Sequence, residues 1–279
     1  MLQYRPGHPG HRWSVPRHRL LALVLGASGL AVILGAGIGL SAYHLAHPSG
    51  GRSTSGPGTS SSGHRSPQVS AAVARARDAL AARKMPDTGT GHEWDWPDVS
   101  TQDPGPAIQL PPSRGVDALG VPIGFPQTPQ GALAQLAGID AAALRSASLP
   151  RVRALITVWA APGGPTARSW SGVAAMAGLL ESAGLSGAGS PALQVRARPA
   201  MGLIKGQIGD DFVVACIDFA VDISYRGDPT ATVSVDCQRM LWQQDRWVIG
   251  PGAEPAQATQ VWPDTDAAIK AGFRDLNQT

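Results

Sequence analysis

The sequence predicts an α+β protein: a single transmembrane helix followed, after linkers, by an outer domain of helices packed on a curved antiparallel sheet. Three observations carry this. Leu20 to Leu40 is an uncharged apolar run, residues 128 to 184 carry helical periodicity, and from Leu193 the period changes to two.

The apolar run reads LLALVLGASGLAVILGAGIGL. At about 1.5 Å per residue it covers the roughly 30 Å hydrocarbon core. A cleaved signal peptide is the alternative, but its apolar region is shorter and ends in a small-x-small site, whereas Tyr43 and His44 occupy the exit here. A lipoprotein is excluded, because the two cysteines are Cys216 and Cys237. Arg5, Arg12, Arg17 and Arg19 precede the run, Arg52 alone follows closely, and the first acid is Asp78. That asymmetry places the N-terminus in the cytoplasm and the C-terminal bulk outside, a single-pass protein of the cell membrane with the lipid bilayer as its first partner. Ala27, Ala31, Gly35 and Gly39 recur every fourth residue on one face. Such a stripe admits a second helix at close range, and in a Gly- and Ala-rich span it also arises without one.

The segments are then a basic cytoplasmic tail (1–19), the membrane helix (20–42), a Ser/Gly/Pro stalk (43–68), an amphipathic helix (69–85), a Pro/Gly-rich linker (86–114) and the outer α+β domain (115–279). The stalk lacks apolar residues to offset its ordering entropy. The amphipathic helix aligns Val69, Ala72, Val73, Ala76 and Leu80. In the linker, Trp94 and Trp96 are expected to dock on the domain or on a partner.

Within the domain, Thr128-Pro129 is an N-cap followed by a pre-organised first position, and Leu133, Leu136, Ala137 and Leu144 give that helix its apolar face. A second helix starts at Pro150 and buries Val152, Leu155, Ile156 and Trp159. A third is capped near Thr166 or Ser169 and stopped by Gly184. Strands are predicted over 193–198, 212–225, 231–242 and 246–249, with a turn at Arg226-Gly227-Asp228 and a second hairpin through Trp242-Gln243-Gln244-Asp245-Arg246-Trp247. On the longest strand Val213, Ala215, Ile217, Phe219, Val221, Ile223 and Tyr225 share one face. Asp218, Asp222 and Ser224 lie on the other, read as solvated. A last helix with Ile269, Phe273 and Leu276 is expected to close the chain.

The order of tail, membrane helix, stalk, helices and meander ending in Trp247-Val248-Ile249 resembles membrane-anchored nuclear transport factor 2-like (cystatin-like) domains. The outer domains of inner-membrane assembly subunits in conjugative type IV secretion systems share that plan. Gly120-Val121-Pro122-Ile123-Gly124-Phe125-Pro126, Thr128-Pro129 and Trp159-Ala160-Ala161-Pro162-Gly163-Gly164-Pro165-Thr166 are similar to anchored actinobacterial proteins, some near conjugation genes. The resemblance covers roughly residues 115 to 275 and is mostly architectural. It implies a scaffold that self-associates or joins envelope proteins, with no catalytic residue carried over.

Chemistry-bearing patterns are sparse. The seven histidines, at 8, 11, 18, 44, 47, 64 and 92, all precede the domain, which removes the usual general base. Neither a zinc ligand set nor a Walker sequence occurs, so no metal or cofactor is expected. Arginines scattered among aspartates do not make the basic, aromatic-laced face that nucleic acid needs. The enzymatic candidates are Asp218, Asp222 and Asp236, since polyketide-cyclase-like relatives of such curved sheets house an acid/base residue in a conical cavity. Asp218 and Asp222 stand roughly 13 Å apart along one strand, too far for a carboxylate pair. The expectation is therefore a non-enzyme. Cys216 and Cys237 are symmetric about Arg226-Gly227, which favours a disulfide, yet matching the apolar faces of the two strands shifts them out of register unless a bulge intervenes. Two buried thiols are the alternative.

Overall fold

The computed structural model describes residues 67–88 and 98–278. The membrane segment with its Ala27, Ala31, Gly35 and Gly39 stripe, the stalk, and Trp94 and Trp96 lie outside the described residues. Among those described, no helix is long and apolar enough to cross a membrane.

Helix α1 (Pro67–Ala82) comes first. Three short strands follow: β1 (Ile108–Leu110), β2 (Gly115–Val116) and β3 (Pro122–Ile123). Next come α2 (Pro129–Ser146), α3 (Leu149–Trp159) and α4 (Ser171–Ser182). The meander is β4 (Leu193–Gln207), β5 (Phe212–Tyr225), β6 (Asp228–Gln243) and β7 (Arg246–Ile249). Helix α5 (Asp266–Ala271) and β8 (Arg274–Gln278) end the chain. Six strands form one curled sheet in the order β1-β8-β4-β5-β6-β7, antiparallel except for the β1–β8 pair. β1 thus belongs to the sheet although it precedes residue 115.

Thr128 caps α2 as its chemistry predicts: its hydroxyl accepts the Gly131 amide at 3.0 Å. Gly131 is required there, because a Cβ would stand 2.0 Å from the Pro126 carbonyl oxygen. Helix α4 is capped at Trp170, one residue past Ser169, while Thr166 and Ser169 close the preceding turn, the Ser169 hydroxyl meeting the amide and hydroxyl of Thr166. The turns at Arg226-Gly227 and Gln244-Asp245 have positive φ at both central residues, the geometry that matches strand twist in two-residue hairpins.

The sheet has two covered faces. Helices α2–α4 pack on Val213, Ala215, Ile217, Phe219 and Val221 of β5, the face expected to be apolar, together with Trp159, Trp170 and Trp247. The opposite face departs from expectation. Asp222 is exposed, but Cys216 and Asp218 are buried where the C-terminal segment lays Ala258, Val261, Ala268, Ala271 and Phe273 over that face, and Phe212 and Val214 are buried against Ala81 of α1. The closing helix is also corrected. Gly272, at φ 95°, ends α5 after Ala271, turns Phe273 into this second core, and lets Arg274–Gln278 run as a strand.

β4 is longer than its alternation predicts because two bulges interrupt it, between Pro199 and Met201 and between Ile204 and Gly206. Each extra residue switches the faces, so Leu193, Val195 and Ala197 meet the helices while Met201 meets the second core. Helix α1 docks on the sheet. Arg77 contacts both oxygens of Asp211 at 2.6 and 2.7 Å and lies over the Phe212 ring, and Asp78 accepts from the buried Arg239 at 2.7 Å. Ala81 fills the gap beside Phe212 and Val214.

Candidate functional site

The two cysteines form a disulfide with Cα atoms 4.0 Å apart, both fully buried. The parity conflict disappears in the observed register. Cys216 faces Cys237 directly, with no bulge anywhere along β5–β6. On the face of β6 read as apolar, Val235 and Cys237 meet the second core, while Leu241 packs against the first. Beyond the bridge, the free edge of β6 is closed by side chains. Gln257 accepts from the Cys237 amide and donates to its carbonyl at 2.9 and 3.1 Å, and Gln260 does the same for Val235 at 2.9 and 3.0 Å. Two glutamines thereby take the hydrogen bonds another strand would have made.

Asp218 sits two residues from Cys216 on this face, 0% exposed, with neither carboxyl oxygen hydrogen-bonded. Burial, and secondarily Asp264, push its pKa up to about 8. Its burial favours the protonated carboxyl. Asp222, opposite Arg196 in the β4–β5 register, is exposed at the far end of the same face. The structure therefore separates these two candidates as the strand rise requires.

Asp236 lies on the helix-covered face, half-buried, and is joined there by a residue the sequence reading missed. Asp140 of α2 is buried among the same groups, and the i+7 position from Leu133 on the predicted apolar stripe was its available signal. The Asp236 carboxylate accepts from Gln238 Nε2 at 3.2 and 3.0 Å and from the Ser171 hydroxyl at 3.4 Å. Glu254 accepts from the Ser171 amide at 2.9 Å at the start of α4. Burial raises Asp236 to about 6; Glu254 adds to the rise, while the Gln238, Cys237-backbone and Ser171 hydrogen bonds oppose it. Burial also holds Asp140 well above the usual carboxylate range, with Asp236 and Glu254 contributing in that order. Asp140 Oδ2 and the Trp170 indole N–H are buried without partners. Burial thus shifts both neighbouring acids towards the protonated form.

Two open clefts lie elsewhere. One, of about 690 Å³, runs between β1 and the distal part of β4 beside Arg274. The other, of about 650 Å³, opens where α2 meets α3. Neither is lined by Asp140, Asp236 or Glu254. Among the described residues, no three His, Cys, Asp or Glu side chains group as a metal site.

The fold and these sites define a mixed α+β domain with a strongly curled, mostly antiparallel sheet, bridged internally by one disulfide. No protein-family model, curated protein or solved structure matches the chain.

Proposed function

We propose that the chain is a non-catalytic bitopic scaffold of the cell envelope: a nuclear transport factor 2-like domain held outside the membrane by Leu20–Leu40. On this reading the domain self-associates or docks to envelope proteins within a conjugative, type IV secretion-like DNA-transfer apparatus. The observation that carries it is the Cys216–Cys237 bridge. A structural disulfide persists in oxidising compartments, the side of the membrane to which the N-terminal arginines independently assign the domain. The order of helices followed by a curled meander, and a domain without histidine, support a binding role over catalysis. The partners are other copies of this chain or envelope proteins; neither nucleic acid nor a cofactor is required.

In-cell crosslinking followed by detergent purification tests this. Oligomers or envelope partners are expected, weakened by Gly35→Leu with Gly39→Leu while membrane insertion persists. Recovery of monomer alone would remove the scaffold reading; crosslinking unchanged in the double variant would reduce the segment to an anchor.

One observation favours a second reading, an anchored small-molecule-binding or polyketide-cyclase-like enzyme: the Asp140/Asp236 pair under the helices. A screen of apolar compounds would then give a thermal shift that Asp236→Asn abolishes. No shift across a broad panel defeats it.

A further inference from the structure

We propose that the outer half of β6, residues 230–234, is a docking edge for a second copy of this chain, which pairs with it antiparallel about Thr232 and continues the sheet across both copies. In an antiparallel ladder, alternate residues send N–H and C=O to the same side. On β6 the side away from β5 is fixed by observed bonds. Cys237 and Val235 turn both groups to Gln257 and Gln260, and the Arg239 carbonyl accepts the Gly250 amide. The β5–β6 register runs on without a bulge, so Val233 and Ala231 continue the same row. Among the described residues, no hydrogen bond reaches their N–H or C=O groups on that side. Pro229 ends the row without a donor.

The edge is therefore capped along its inner part and bare along its outer part. Solvent-facing edges are ordinarily blunted by a charge, a bulge or a covering segment. Thr230-Ala231-Thr232-Val233-Ser234 carries no charge and no bulge, and the segment that supplies the two glutamines turns Val261 into the second core directly after Gln260. What selects a second copy over another extended chain is the match of the row to itself. Pairing about Thr232 sets Ala231 against the partner's Val233, and Val233 against the partner's Ala231, so each bare donor meets a bare acceptor. At the ends Pro229, which has no N–H, falls opposite the partner's Val235, whose groups Gln260 already holds. A centre at Ala231 would leave the Val233 carbonyl facing the donorless Pro229, and a centre at Val233 would press Ala231 against the capped Val235. Thr232 meets the partner's Thr232 on the two-fold axis, a favourable cross-strand pair. The paired stretch falls short of the roughly 20–30 residues a side that a free-standing interface uses. It therefore rests on the anchored-scaffold reading, in which copies tethered to one membrane meet at raised effective concentration.

Cysteine crosslinking of full-length protein in its membrane tests this. Across a non-hydrogen-bonded antiparallel pair the Cα atoms stand about 4.5 Å apart, within disulfide reach. Under mild oxidation Thr232→Cys should give a dimer of this chain at about ten times the yield of Asp222→Cys, an exposed position one strand in from the edge. The native bridge is fully buried and stays out of the exchange. Val233→Pro removes an outward N–H while leaving the ladder to β5 intact, and should cut the Thr232→Cys yield about tenfold with the melting temperature little changed. A register test spares the backbone altogether: Thr230→Cys and Ser234→Cys, which pairing about Thr232 sets opposite each other, should link when the two variants are co-expressed and not when either is expressed alone. Thr232→Cys linking no better than Asp222→Cys, or linking to a different envelope protein in place of a second copy, overturns the proposal. Oligomers that depend on Gly35 and Gly39 beside an unlinked Thr232→Cys would remove the edge and leave the scaffold reading standing, whereas monomer alone with no envelope partner would remove both.

Discussion

Replacing Asp218 with Asn should change how stability depends on pH. Unfolded, the carboxyl releases its proton near the ordinary value of 3.8; folded, it keeps it to about 8. Between those values the folded state binds one more proton than the unfolded state, so stability falls as pH rises. The full contribution is present below the unfolded pKa and is gone once pH passes the folded one. The slope is about 1.4 kcal/mol per pH unit, so by pH 7 ionisation has removed about 4 kcal/mol. That is a large part of an ordinary domain's total of about 5–15 kcal/mol.

Asn keeps the shape of the carboxyl and cannot ionise. Asp140 and Asp236 also have raised pKa values and titrate in the same direction, so the quantity to measure is the difference between the wild-type and Asp218→Asn profiles. Denaturant unfolding of full-length protein at constant ionic strength, disulfide intact, should show the wild type losing about 3 kcal/mol more than the variant between about pH 5.5 and about pH 7.5. The buried amide has no better partners than the carboxyl, and its own cost of about 1–3 kcal/mol is constant across the range. Parallel profiles would refute the reasoning, since they would mean that Asp218 ionises in the folded protein as freely as in the unfolded chain.

Other outcomes follow from the same structure. Unfolded without reductant, the protein should take up no thiol label, and Cys216→Ser with Cys237→Ser should lower unfolding stability by about 3 kcal/mol for a loop of sequence separation 21. Arg77→Ala removes the two-oxygen contact of α1 with Asp211 and should loosen α1 to limited proteolysis, while the melting temperature of the sheet domain moves little. Gly131→Ala forces a Cβ into the Pro126 carbonyl and displaces the Thr128 cap; a loss of about 2 kcal/mol or more by denaturant unfolding is expected.

The legibility of this fold in its sequence follows the range of the forces involved. Thr128-Pro129, the i, i+3, i+4, i+7 set ending at Trp159 and the two-residue turns act locally, and the structure places each where the sequence indicates. The bulges of β4 were hidden because Ala200 and Lys205 are ordinary strand residues, and only the partner strand reveals that each is one too many. β8 was hidden for a similar reason: Ile269, Phe273 and Leu276 fit a helical stripe, and Gly272 breaks it. Ladder pairing with β4 and β1 then decides the state of the last residues, and no local pattern carries that information.

The second face of the sheet explains most of what the sequence concealed about the sites. A strand with Asp218, Asp222 and Ser224 on one side reads as solvated there, and along its outer half that is right. Over the inner half, the C-terminal segment covers the same side, and one cover accounts for three observations that looked unrelated: the buried bridge, the unpartnered Asp218 and the glutamine-capped edge of β6. Burial turns the cysteines from a parity conflict into a directly opposed pair, since both faces of β5–β6 need apolar matter there. It also makes the ionised carboxylate costly, which leaves Asp218 a liability that the disulfide two residues away helps to offset. On this account the bridge and the acid are coupled: the stability gained from Asp218→Asn at pH 8 should differ between the bridged protein and the variant carrying Cys216→Ser with Cys237→Ser. Equal gains in the two backgrounds would mean that the two features merely share a core.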